Sequence, residues 1–258
     1  IDAARTKFEL RIEKERSVAI SERILTGCRD ADAMIVSPGD RIDDLVISKL
    51  PSQLKAVATY SAGYDHIDVE AARSRGIEVT NVSGLSDQAT AETTLLIALS
   101  LARRVSEAEQ LLKSGAWIGW EPAGLLSPGL NGRRLGIIGM GSIGGAVATL
   151  GRAFGMDVFY HNRRRLCPAH EKEAVFRPDL ENLLEVSDVL SIHCPLNEGT
   201  YGLIGPKELR RLPLGALVIN TARGEILNED ALLSALDSGH IAGAGLDVFC
   251  DEPNPRAD

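Results

Sequence analysis

Short apolar runs of four to six residues recur along this chain, and longer stretches with apolar residues three or four apart lie between them. The first rhythm predicts buried strands and the second predicts helices packed by one face. Ala33-Met34-Ile35-Val36 runs into Ser37-Pro38-Gly39-Asp40, a strand entering a turn. Leu54 to Thr59 and Ile77 to Thr80 read as two more buried strands, with helices over Val18 to Cys28 and Val69 to Arg75. Ile1 to Glu15 reads as mostly helical and amphipathic, with no opening strand. Such alternation predicts a parallel sheet covered on both sides.

From Ser86 to about Lys113 an apolar face with few breakers (Leu95, Leu96, Leu99, Ala102, Val105) predicts one long helix leaving the first domain for the second. An irregular arm follows, Ser114 to Pro122, carrying Trp117 and Trp120, whose exposure there would mark an interface. The remaining pattern is strand Leu135–Ile138, helix Ser142–Phe154, strand Asp157–Tyr160, helix Asp179–Leu184 and strand Asp188–Ile192. Helix Pro206–Leu212, strand Ala216–Ile219, helix Glu229–Asp237 and strand Ala242–Val248 complete it. That is a doubly wound α/β order, with ligands expected at the carboxyl ends of the strands.

The join between the first two of these elements is the most specific chemical signal. Gly139-Met140-Gly141-Ser142-Ile143-Gly144 breaks an apolar strand into a glycine loop and continues as a helix. Gly139 permits the tight turn, Gly141 removes a Cβ that would block phosphates, and Gly144 lets helix and strand pack closely. The helix N-terminus offers unpaired N–H groups and partial positive charge to an anion. A dinucleotide pyrophosphate fits that device. In an NAD site the next strand ends in a carboxylate that accepts from the ribose 2′-OH. Here it ends Tyr160-His161-Asn162-Arg163-Arg164-Arg165, with no carboxylate and three guanidinium groups. Arginine donors can grip a 2′-phosphate in bidentate fashion. This favours NADP(H), with NAD(H) as the alternative.

Composition narrows the classes. The 258 residues suffice for two domains, and 44% hydrophobic content with mean hydropathy −0.01 fits a globular protein. No apolar run approaches a membrane span, and Ile1 to Val18 is too charged for a secretory signal. With 28 Lys and Arg against 36 Asp and Glu the net charge is −8, which disfavours nucleic acid and anionic lipid as partners. Cys28, Cys167, Cys194 and Cys250 are scattered, with no C-x-x-C pair, which suits a reducing cytoplasm and provides no metal site.

Three further segments end predicted strands: Thr59 to Asp68, Ile219 to Gly224 and Gly245 to Pro253. With the glycine loop they resemble the D-isomer-specific 2-hydroxyacid dehydrogenases. Ser-Ala-Gly-Tyr-Asp-His-Ile-Asp, Gly-Trp-Glu-Pro and Gly-Met-Gly-Ser-Ile-Gly look most like the glyoxylate/hydroxypyruvate reductases in that family. The resemblance covers essentially the whole chain. It implies a Rossmann domain, residues 95–258 with the linking helix and dimer arm, and a smaller flavodoxin-like substrate domain, residues 1–94 and incomplete at both chain ends. By position Arg223 matches the arginine that grips the substrate carboxylate and polarises the 2-keto oxygen. Glu252 matches the acidic partner that orients a catalytic histidine and raises its pKa so that it stays protonated, and the backbone of Ser61, Ala62 and Gly63 matches the loop that meets the substrate carboxylate. On the cofactor side stand Thr90, Gly139, Gly141, Ser142, Ile143, Gly144, Asn162, Arg163, Arg164, Cys194, Pro195, Thr200, Thr221, Ala222 and Asp247, the last facing the nicotinamide carboxamide.

One departure stands out. The family's general acid is a histidine in a Pro-His-x-Gly-Ser segment, and none of His66, His161, His170, His193 and His240 sits in one. The resemblance therefore implies a longer polypeptide that supplies it. The expectation is NADPH-dependent reduction of glyoxylate or hydroxypyruvate to the D-2-hydroxy acid, by a cytoplasmic homodimer. The alternatives are a phosphoglycerate- or formate-type dehydrogenase, and a noncatalytic dinucleotide-sensing corepressor that would not need both Arg223 and Glu252.

Overall fold

The computed structural model describes residues 2–12, 21–122 and 124–256. Its backbone divides into two compact units, Ile1–Leu85 and Ser86–Asp258. The helix that begins at Asp87 lies whole in the second unit.

In the first unit, β1 (Ala33–Val36), β2 (Ala56–Thr59) and β3 (Glu78–Thr80) form a parallel sheet in the order β1-β2-β3. Helices α1 (Asp2–Arg5), α2 (Ser21–Gly27), α3 (Asp44–Lys49) and α4 (Val69–Ser74) accompany it. Asp43 and Asp68 cap α3 and α4 by accepting from the N–H groups of Val46 and Ala71, both at 2.9 Å. Val36, Val57, Ile47, Leu54 and Ala72 share its core. Burial along the strands alternates instead of running continuously. Val57 and Thr59 are enclosed, whereas Ile35 is 74% exposed and both Glu78 and Thr80 are exposed. The expectation of buried strands covered on both faces therefore fails here among the described residues; α3 and α4 pack with the Val57 side. The predicted helix over Val18 to Cys28 is seen from Ser21, and the expectations for residues 13–20 lie outside the described residues.

The second unit is a six-stranded, wholly parallel sheet. Its strands are β4 (Arg134–Ile138), β5 (Asp157–His161), β6 (Val175–Phe176), β7 (Val189–Ile192), β8 (Ala216–Asn220) and β9 (Ile241–Leu246), in the order β6-β5-β4-β7-β8-β9. This is the Rossmann arrangement, with the order reversing beside β4. Alternate residues feed two cores. Leu135, Ile137, Val189, Leu217 and Ile219 pack with α5 (Asp87–Ala102) and α7 (Ser142–Ala153). Ile138, Leu190, Ile192 and Val218 pack with α9 (Leu180–Leu184), α10 (Pro206–Arg211) and α11 (Glu229–Asp237). Strands enclosed on both faces explain why β7 and β8 are buried at every residue and apolar at all but Ser191 and Asn220. Each such Leu or Ile contributes roughly 1.5–3 kcal/mol relative to exposure.

The predicted long helix is in fact two. Arg104 adopts a left-handed backbone, φ 52°, which ends α5 and starts α6 (Val105–Lys113). Arg104 then pairs with Glu107 within the new first turn. Apolar periodicity continues through the break, so it leaves no mark on the pattern. Strand β6, the short helix α8 (Pro168–Glu171) and the 3-10 turn Gly224–Ile226 were also not predicted; each is too short to carry a period.

Candidate functional site

Strand register decides which loops leave the second sheet side by side. Ile138 pairs with His161 and Ile192, Ile192 with Asn220, and Asn220 with Leu246. The segments beginning at Gly139, Asn162, His193, Thr221 and Asp247 thus emerge together from one edge.

Within the glycine loop, Gly139 has φ +89°, and a Cβ there would lie 2.5 Å from the backbone N of Cys194. A Cβ on Gly144 would lie 2.5 Å from the Gly139 carbonyl oxygen, so only glycine allows helix and loop to approach this closely. Gly141 differs, since a Cβ there would meet nothing within 4 Å. Its front is open space, bordered by the N-terminal N–H groups of Ser142 and Ile143 in a helix of 12 residues. That open, donor-lined cradle fits a dinucleotide pyrophosphate.

The loop is held from outside. Gly139 N–H donates to His161 O at 3.0 Å, and Met140 N–H donates to Asn162 Oδ1 at 2.7 Å. The side chain of Asn162, expected at the cofactor, is thus engaged by the loop that would hold it. Beyond it Arg163 and Arg164 are exposed, whereas Arg165 is bound to Glu171 at 2.7 Å. The tip therefore presents two guanidinium groups rather than the three read from the sequence.

On the next strand end, Cys194 is buried against Gly139, and burial pushes its thiol up to about 11. Thr200 Oγ1 donates to Pro195 O at 2.7 Å and accepts from Asn197 N–H at 2.8 Å, which closes the loop on itself. At the following strand end, buried Asn220 accepts from Ala222 N–H at 3.0 Å and donates to Arg223 O at 2.7 Å. Thr221 Oγ1 lies 3.0 Å from Thr94 Oγ1, and Thr94 donates to Thr90 O at 2.8 Å. One side-chain chain thus ties Thr90, on the first turns of α5, to the end of β8. Neither Asn220 nor Thr94 was picked out as a candidate; the Asn two residues before Ala222 is an Asx-turn signal that could have flagged the first.

Arg223 is half-buried, extended in backbone, and donates from Nη1 to Ala222 O at 2.8 Å. Behind it Gly224 lies under the chain of the neighbouring loop. A Cβ there would sit 2.1 Å from the carbonyl carbon of Phe249. That contact seats the Arg223 turn directly on the segment carrying Asp247 and Glu252. Asp247 N–H donates to Asn220 O at 3.0 Å, and exposed Glu252 accepts from Phe249 N–H at 2.9 Å.

The Ser61–Gly63 loop belongs to the first unit. Its three carbonyls are engaged: Val82 N–H donates to Ser61 O at 3.1 Å, Asn81 Nδ2 to Ala62 O at 2.7 Å and Ser61 Oγ to Gly63 O at 2.6 Å.

Four histidines are engaged by groups in their own surroundings. His161 Nδ1 contacts Arg177 O, His170 Nδ1 contacts Cys167 Sγ, His193 Nε2 contacts Ser191 Oγ and His240 Nε2 contacts Leu209 O. Loss of solvation pushes the His193 imidazole down to about 4. Among the described residues no group of three or more His, Cys, Asp or Glu could hold a metal ion, and no helix is long and apolar enough to cross a membrane.

Comparison with known proteins agrees with this fold. The profile of the D-isomer specific 2-hydroxyacid dehydrogenase, NAD binding domain, matches residues 95–258. A glyoxylate reductase of Thermococcus litoralis is 41% identical over 95% of this chain and 75% of its own length. A glycerate dehydrogenase of Hyphomicrobium methylovorum is 38% identical over 92% of this chain and 74% of its own. The crystal structure of D-lactate dehydrogenase from Aquifex aeolicus, complexed with NAD and lactic acid, superposes with TM-score 0.87 at 32% identity, covering 97% of this chain and 73% of that one. A glycine loop at the switch point of a Rossmann sheet, an arginine turn beside it and likeness at this level lead to one assignment: the chain belongs to the D-isomer specific 2-hydroxyacid dehydrogenase family, whose members are NAD(P)-dependent oxidoreductases.

Proposed function

We propose that this protein reduces a small 2-keto acid, glyoxylate or hydroxypyruvate, to the D-2-hydroxy acid with NADPH as the preferred dinucleotide. The observation that carries the reading is the single sheet edge at which the phosphate cradle, the Arg223 turn and the Asp247–Glu252 segment emerge together. A reduced nicotinamide supplies hydride when bound. The N-terminal N–H groups of α7 hold its pyrophosphate, and Asp247 accepts from its carboxamide. Arg223 grips the substrate carboxylate through its planar fork and stabilises negative charge developing on the 2-oxygen. Glu252 would orient the family's protonating imidazole and keep it charged, a group that none of the five histidines of this sequence matches.

The dinucleotide preference rests on Arg163 and Arg164, exposed and without an ion pair among the described residues, and on the lack of a carboxylate at the tip of β5. The glyoxylate reductase and glycerate dehydrogenase relatives support the substrate class. Self-association is supported by the arm, where Trp117, Ile118 and Trp120 are 55%, 90% and 83% exposed. Turnover of glyoxylate and hydroxypyruvate followed at the reduced-nicotinamide absorbance, with NADPH and with NADH, tests the assignment. Arg223→Ala is expected to abolish most turnover while dinucleotide affinity stays within about twofold. Equal loss of both would overturn the role given to Arg223.

A further inference from the structure

Three consecutive arginines follow β5, and the fold does not use them alike. Arg165 donates from Nε and Nη2 to the two carboxylate oxygens of Glu171, at 2.7 and 3.1 Å. Glu171 is only 8% exposed and also accepts from Tyr160 Oη at 2.7 Å. Tyr160 is fully enclosed, and its oxygen accepts from Leu166 N–H at 3.1 Å. Both ends of the segment 162–166 are therefore fastened. Asn162 is held by the glycine loop, and Arg165 and Leu166 are held by the Glu171–Tyr160 pair. The part left unfastened is the apex, Arg163-Arg164.

We propose that Glu171 is a positioning residue for cofactor discrimination: it takes Arg165 out of play and anchors the loop so that Arg163 and Arg164 alone meet a 2′-phosphate. The proposal rests on the NADPH preference argued above. Its physical content is twofold. Three adjacent guanidinium groups repel one another, and Glu171 neutralises the one nearest the protein. A clamped backbone has also lost, before binding, the freedom that two long side chains on a loose loop would otherwise surrender on meeting the phosphate. The hydrogen bond from Arg165, followed by that from Tyr160, holds the Glu171 carboxyl below its usual range, so the clamp stays charged at neutral pH.

The test compares wild type, Glu171→Gln, Glu171→Asp and Arg165→Ala by calorimetric titration with NADPH and NADH, and with adenosine 2′,5′-bisphosphate and AMP. Glu171→Gln and Arg165→Ala are each expected to weaken NADPH and the bisphosphate about tenfold, leaving NADH and AMP within about twofold. Glu171→Asp should restore part of the loss. The unchanged NADH affinity serves as the check that each variant is folded. Tighter NADPH binding in Glu171→Gln together with weaker binding in Arg165→Ala would place Arg165 on the phosphate and overturn the proposal. Equal weakening of both dinucleotides would make Glu171 merely structural and overturn it too. A wild type that prefers NADH would instead sink the underlying preference, a distinct failure visible before any variant is made.

Discussion

Gly224 is the point at which the proposed substrate turn is most sensitive to a single atom. In Gly224→Ala the new Cβ would sit 2.1 Å from Phe249 C, 2.4 Å from Phe249 O and 2.5 Å from Cys250 N. All three are backbone atoms, so no side chain can rotate away. To reach even the tight contact distance of 3.4 Å, the two loops must separate by about 1.3 Å. Overpacking of this kind costs about 1–3 kcal/mol of stability. The larger effect falls on geometry, because the turn that moves carries Arg223, and the segment it pushes carries Asp247 and Glu252. A displacement near 1 Å at a positioning group can cost about a hundredfold in rate, or about 2.7 kcal/mol of transition-state stabilisation. The proposed phosphate cradle follows other strands, β4 and β7, and should be spared. The assay is kcat/KM for glyoxylate alongside the dissociation constant of NADPH. We expect the first to fall about a hundredfold and the second to stay within about threefold. A variant with wild-type kcat/KM would refute the claim that the Arg223 turn is held in register by its contact with Phe249.

Two further outcomes follow from buried groups in the second unit. Thr94→Val removes the hydroxyl that bridges Thr90 O, partly buried, and Thr221 Oγ1, buried, and should lower unfolding free energy by about 1–3 kcal/mol in urea titrations. His193 has its imidazole pushed down to about 4 by burial, so the unfolded chain binds the proton more readily than the folded one. Its contribution is fully present above the ordinary value near 6.5 and is lost as pH falls toward 4, by about 3 kcal/mol at most. Comparing denaturant midpoints of wild type and His193→Gln between pH 7 and 4.5 isolates this slope from that of the carboxylates. Parallel curves would show that His193 is not its source.

The main chemical signals are local and were legible for that reason. Gly139, Gly141 and Gly144 act through the backbone of their own loop, so strand, turn and helix are specified within a dozen residues. Helix α11 was predicted with the bounds it has, since Asn228 accepts from Ala231 N–H and caps a clear apolar face. The break at Arg104 was not legible. A left-handed residue inside a continuing apolar period changes direction without changing pattern. The open faces of β1 and β3 were also misread, because the pattern of a strand cannot say which neighbours will pack on it.

What the sequence alone determined is therefore the alternation of strand and helix, the glycine cradle and the identity of the arginine and carboxylates at strand ends, all set by side chains acting over a few neighbours. Tertiary structure decided how those groups are used. It paired Arg165 with Glu171, six residues on at the end of α8, held Asn162 against Met140, joined Thr94 to Thr221 across 127 residues and wedged Gly224 beneath Phe249. Apart from the local Arg165–Glu171 pair, each of these joins segments that a crossover of the parallel sheet separates, and neighbours made by a crossover leave no periodic trace in either segment.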